Sequence, residues 1–146
     1  IKKARPSITF GADLIIGFPT ETKQNFLNTC DLLHTGFFSN LHIFPFSPME
    51  RTPASRMPQV KSDIIQKRTK DIRKLGDFFK RKLMQKKINK TAKILFENQK
   101  LSYTNDYFKV RIKNFSEEQS IQEHKGKLID IKLLSVENDF FNGEII

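Results

Sequence analysis

The stretch GADLIIGFPTETKQNF, residues 11–26, sets the tightest limit on the fold. An apolar run is stopped by Gly17, Phe18 and Pro19 and passes at once into polar, helix-forming residues. Residues 8–18 predict a strand whose apolar positions are nearly continuous, as in a parallel sheet covered on both faces. Residues 21–35 predict a helix with Phe26, Cys30, Leu33 and Phe37 along one stripe. Thr20 suits its cap, Glu21 the positive end of its dipole and Gly36 its stop. LHIFPF, residues 41–46, reads as a second strand with Pro45 near its end. Strand, helix and strand make a βαβ unit with a right-handed crossover. Its first turn brings backbone N–H groups and a helix N-terminus to the carboxyl end of the sheet, where α/β folds bind phosphate- or carboxylate-bearing ligands. Gly17 lets the backbone approach a ligand, or cross a helix closely. Both readings remain open at this stage.

Three prolines, Pro48, Pro53 and Pro58, make residues 47–59 an extended loop. A long helix follows over about residues 62–88, roughly 40 Å at 1.5 Å per residue. Ile65, Ile72, Leu75, Phe79 and Leu83 form its apolar stripe, and Gly76 weakens it by ~1 kcal/mol relative to Ala. Beyond residue 90 the period becomes alternating. Segments 91–97, 106–113, 126–136 and 140–146 read as strands, KLSY adds a short one, and a loop fills 114–124. Short antiparallel strands in so little sequence predict a small barrel of a kind that often binds RNA. The fold class is therefore α/β plus all-β, with segments 1–60, 61–88 and 89–146.

Charge points the same way. Residues 61–93 hold 13 Lys and Arg against Asp63, Asp71 and Asp77, so the whole net charge of +10 falls on that segment. Such an imbalance favours a polyanion, nucleic acid ahead of an acidic membrane. Lys80, Arg81, Lys82, Lys86 and Lys87 lie nearest the barrel. In the strand at 106–113, alternation places Tyr107, Lys109 and Arg111 on one side, assigned to RNA, and Phe108, Val110 and Ile112 on the other, assigned to the core. Tyr103 adds a ring nearby. No run approaches the ~20 apolar residues of a membrane span. A single cysteine, Cys30, excludes an intramolecular disulfide framework and a cysteine-rich metal site built by this chain alone, and fits a reducing, cytoplasmic setting. It falls on a helical stripe and reads as a buried structural thiol. His34, His42 and His124 are scattered and suggest no metal site. No catalytic residue is assigned.

DLIIGFPTETKQNF followed by HIFPFSPMERTPASRM resembles the radical S-adenosylmethionine tRNA methylthiotransferases. Members of that family carry Asp-Ile-Ile-Val-Gly-Phe-Pro-Gly-Glu-Thr, a short helix, a strand like His-Val-Phe-Pro-Tyr-Ser and a loop like Arg-x-Gly-Thr-Pro-Ala. SYTNDYFKV and GKLIDIKLLSV are similar to the TRAM domain that ends these enzymes and binds tRNA. The His-x-Phe-Pro strand is closer to the branch acting on threonylcarbamoyladenosine next to the anticodon. The resemblance implies the C-terminal βαβ part of a partial radical SAM barrel, a linking helix and a TRAM barrel. It implies S-adenosylmethionine and two 4Fe-4S clusters in the full-length enzyme, with no cluster ligands in this chain, tRNA as partner, and an N-terminal portion carrying the clusters. Asp13, Gly17, Phe18, Pro19, Glu21 and Pro45 align with the border of the cofactor pocket, with Phe44 and Phe46 beside Pro45. Two positions depart from the pattern: Met49 and Arg51 stand where the family has arginine and glycine, so that arginine's contacts cannot be carried over. The resemblance also leaves two other readings: a stand-alone tRNA-binding module and an inactive remnant of a split gene.

Overall fold

A computed structural model describes residues 1–97, 101–113 and 124–146. The chain divides into two compact units, one of Thr9–Lys80 and one of Ile1–Ile8 with Arg81–Ile146.

In the first unit, β1 (Phe10–Ile16), α1 (Lys23–His34) and β2 (Phe38–Pro45) form the expected strand–helix–strand, and the two strands pair in parallel. A 3₁₀ turn (Pro53–Arg56) and α2 (Ser62–Gln85) follow. α2 is about 36 Å long from its 24 residues and belongs to this unit through Lys80. Ile16, Leu33 and Ile72 are its buried centre, with Leu14, Phe26, Phe38, Leu41, Ile43 and Leu75 packed around them. Two expectations are corrected here. The cap of α1 is Thr22, not Thr20: Thr22 has an extended backbone and its Oγ1 accepts from Asn25 N at 3.1 Å, whereas Thr20 sits in the turn itself at φ 72°. Among the described residues the sheet is also covered on one face only. Ala12, Leu14 and Ile16 are at least half-buried, while Gly11, Asp13 and Ile15 alternate with them to the exposed side. In register opposite these lie Asn40, His42 and Phe44, also exposed. An apolar run shows that both faces want cover, not that this chain supplies it. Gly76, read as a weakness, permits a close approach: a Cβ there would lie 2.8 Å from Leu41 Cδ1.

The second unit is a closed barrel of β3 (Thr91–Leu95), β4 (Ser102–Thr104), β5 (Lys109–Ile112), β6 (Leu128–Glu137) and β7 (Phe140–Ile145), ordered β3-β4-β5-β7-β6. Four seams are antiparallel, but β5 and β7 run parallel, which corrects the all-antiparallel expectation. The reason is parity: a ring of five strands cannot alternate direction all the way round, so one seam must be parallel. Ile94, Phe96, Phe108, Val110, Ile131, Leu133 and Phe141 fill the interior, with Ile112 at its edge. Phe108 and Phe141 meet edge to face at 5.8 Å. Met84, absent from the expected stripe, joins this core from the end of α2, with Leu83 and Ile88 beside it. KLSY contributes β4 from Ser102 onward; most of the loop expected at 114–124, residues 114–123, lies outside the described residues, as do residues 98–100. Among the described residues no helix is long and apolar enough to cross a membrane.

Candidate functional site

The turn after β1 is built around one carboxylate. Gly17 has φ 79°, a left-handed conformation that L side chains avoid. Its N–H donates to Glu21 Oε2 across the turn. The other carboxylate oxygen, Oε1, takes Arg68 Nη1 at 2.9 Å, and both side chains are only 12% exposed. Arg68 also donates to the Glu21 carbonyl at 3.2 Å and lies 5.4 Å from the Phe26 ring centroid. A Cβ on Gly17 would meet Ile65 Cγ1 at 2.4 Å. The glycine admits α2 at this point. Pro19 is fully buried, and Phe18 is half exposed with its ring edge-on to Phe46 at 5.3 Å. Asp13 and Pro45 are exposed, Asp13 in register with His42 and Pro45 with Ile16 at the end of the sheet. Ile15 (58% exposed) and Phe44 (52%) stand next to Asp13 and His42 on the bare face. In the loop that departs from the family pattern, Met49 and Arg51 are exposed and Arg51 is left-handed at φ 66°.

The cations fall into different situations. Lys80 lines an open cavity of about 270 Å³ in the first unit with Phe38, Arg73 and Asp77. Arg81 and Lys86 are exposed, and no carboxylate pairs with either among the described residues; Lys82 is exposed too. Lys87 is instead half-buried, paired with Asp106 at 2.5 Å and placed 5.6 Å over the Phe108 ring. Lys109 pairs with Asp139 at 3.0 Å, and its ammonium is held above the ordinary lysine value chiefly by that hydrogen bond and charge. The Arg111 guanidinium lies 4.3 Å over the Phe140 ring. Tyr107 precedes β5, in a left-handed turn at φ 62°, with its ring 76% exposed. Phe108, Val110 and Ile112 face the interior, and Arg111 faces out. Sequence reasoning passed over Leu95 and Leu128, two exposed leucines in neighbouring strands. Their signal was present: in TAKILFE, alternation turns Leu95 to the side of Lys93 and away from Ile94 and Phe96.

No family model matches the chain. Over 120 residues it is 39% identical to the threonylcarbamoyladenosine tRNA methylthiotransferase of Rickettsia prowazekii, covering 79% of this chain and 27% of that protein. It is 29% identical over 156 residues to the enzyme of the same name from Bacillus subtilis, covering 100% of this chain and 33% of that one. It is 34% identical over 109 residues to the ribosomal protein uS12 methylthiotransferase of Clostridium acetobutylicum, covering 74% of this chain and 24% of that one. The chain is a homologue of the methylthiotransferases. Within that class it is similar to the tRNA methylthiotransferases, including enzymes named for threonylcarbamoyladenosine. It spans about a quarter to a third of the length of these relatives.

Proposed function

We propose that the chain is part of a tRNA methylthiotransferase that adds a methylthio group to C2 of N6-threonylcarbamoyladenosine next to the anticodon. The observation that carries this reading is the 39% identity to a methylthiotransferase named for that nucleoside, over 79% of the chain. The first unit is the end of the radical SAM core; the second is the TRAM barrel and, with the basic end of α2, grips tRNA.

The donor set decides what this chain brings. A four-iron cluster needs several thiolates held together. Cys30 is the chain's one cysteine, half-buried on α1, and its pKa is raised, first by burial and then by Asp31, Asp71 and Glu21. That does not fit a cluster, so cluster ligands belong to residues outside this sequence. The Gly17 N–H is taken by Glu21, and the same carboxylate takes Arg68, so the pair holds the turn, and the lone pairs that remain on Glu21 are what this turn offers a cofactor. Asp13, with Ile15, His42 and Phe44 on the bare sheet face and Phe18 and Pro45 exposed at its end, is what the unit offers to border a cofactor.

The test is nucleoside mass spectrometry of total tRNA from cells with and without the gene. Loss of the 2-methylthio form, with accumulation of N6-threonylcarbamoyladenosine, supports the reading. An unchanged nucleoside profile overturns it. The lone cysteine favours a second reading, a tRNA-binding module without catalysis; it would gain from an unchanged profile together with salt-sensitive tRNA binding by the chain.

A further inference from the structure

Apolar side chains on the outside of a small barrel are informative when they are contiguous. Strand register places Leu95 beside Tyr103 on one flank and beside Leu128 on the other. Tyr103 is in turn paired with Lys109. Leu128 is 69% exposed, Leu95 42% and Tyr103 38%. One row therefore crosses β6, β3 and β4 as Leu, Leu, Tyr and ends on the lysine of β5. The next position along β3 is Lys93, paired with Asp130 at 3.0 Å, while Lys125 and Lys127 stand just before Leu128 and are exposed. The unit that bears the row holds 16 basic and 9 acidic residues, a net charge of +7.

An exposed apolar strip with one aromatic ring, beside Lys125 and Lys127, has the chemistry of a stacking platform. Every nucleobase has a face to stack, and the phosphates that follow it meet the lysines. A paired stem offers no free base faces, so the strip suits an unpaired segment. The net positive charge favours RNA over a second protein as the occupant.

We propose that Leu128, Leu95 and Tyr103 form a docking strip for unpaired RNA bases, with a base stacked on the Tyr103 ring. This rests on the reading of the chain as part of a tRNA-modifying enzyme and adds to it a binding surface distinct from the lysines of α2.

The test is fluorescence anisotropy with the full 146-residue chain and two probes: a labelled single-stranded oligoadenylate and a labelled blunt-ended RNA duplex. Tyr103→Ala should weaken oligoadenylate binding by about 5- to 100-fold. Tyr103→Phe should keep most of the affinity, and the slope of log affinity against log salt should not change. Duplex binding should fall far less. Leu128→Ser, at the most exposed position, should also weaken oligoadenylate binding and guards against a Tyr103→Ala variant that fails to fold. Three results would overturn the proposal. If Tyr103→Ala and Leu128→Ser bind oligoadenylate like the parent while lysine variants on α2 do not, RNA binding stands but the strip is not its site. If the parent binds neither probe, the RNA-binding reading fails with it. If sedimentation shows a dimer that Leu128→Ser dissolves, the strip belongs to a second copy of the chain.

Discussion

Replacing Gly17 by alanine separates the two jobs a glycine can do in this turn. Its φ of 79° lies in the left-handed region, where a non-glycine residue costs ~1–2 kcal/mol. The added Cβ would also fall 2.4 Å from Ile65 Cγ1 and 2.8 Å from its Cδ1, and overpacking of that kind costs ~1–3 kcal/mol. The two terms give roughly 2–5 kcal/mol for Gly17→Ala. Ile65→Ala removes the obstructing atoms at its own cost of about 1–2 kcal/mol for a half-buried side chain. In the double variant the steric term vanishes and the φ term stays, so the double should cost about 1–3 kcal/mol less than the sum of the singles. The assay is native-state hydrogen exchange of amides in β1, α1 and α2, which reports the stability of this unit independently of the barrel. Additivity within about 0.5 kcal/mol would refute the reasoning: the glycine would then answer to something other than the isoleucine.

Arg68→Met should destabilise the same unit by about 2–4 kcal/mol, because it strands a mostly buried Glu21, and Arg68→Lys should not restore it, since the guanidinium also serves the Glu21 carbonyl; urea unfolding followed by far-ultraviolet circular dichroism checks both. Thr20→Gly should stabilise by about 0.5–1 kcal/mol, as it relieves a β-branched residue at φ 72° and gives back part of the gain in unfolded-chain entropy; a fall in melting temperature would count against the turn geometry. Cys30 should react with iodoacetamide at pH 8 more slowly than it does in urea, and Asp31→Asn should speed the folded reaction by less than unfolding does, because burial is the larger cause of its raised pKa; mass-spectrometric alkylation rates give the answer.

The βαβ unit was legible because its periods and its stop signals agree: an apolar run, a Gly-Phe-Pro break and a stripe at steps of four and three. The closing strands were legible by alternation, and alternation also put Phe108 and Val110 inside the barrel. What was hidden depended on partners far along the chain. Nothing in GFPTE reveals that Glu21 is claimed by Arg68, 47 residues later, or that Gly17 and Gly76 are small because Ile65 and Leu41 arrive there. Thr20 reads as the cap because nothing in the sequence shows that the backbone puts Thr20 in a left-handed turn and gives Thr22 the extended conformation of a cap. The parallel seam follows from strand number and closure, which a list of strands does not contain. Met84 escaped because the stripe was followed at the face that served Ile72, while the last turn of α2 buries a neighbouring position in the barrel core.

Charge counting met the same limit, and here the consequence can be measured. A tally of lysines treats every ammonium as available to phosphate, but Lys87 and Lys109 already face Asp106 and Asp139. A paired lysine that turns to RNA must first give up its carboxylate, so it adds little to the net release of counterions. Asp139→Asn removes the carboxylate from an exposed pair, which is worth little to stability. It should therefore leave the barrel folded, return the Lys109 pKa toward its ordinary value, and free one cation beside Tyr103. If RNA passes over this face, the slope of log affinity against log salt should steepen by roughly 1 and affinity at low salt should rise. A slope that stays fixed in a folded Asp139→Asn variant would place Lys109 off the path of the RNA and assign the polyanion contact to Arg81, Lys82 and Lys86 instead.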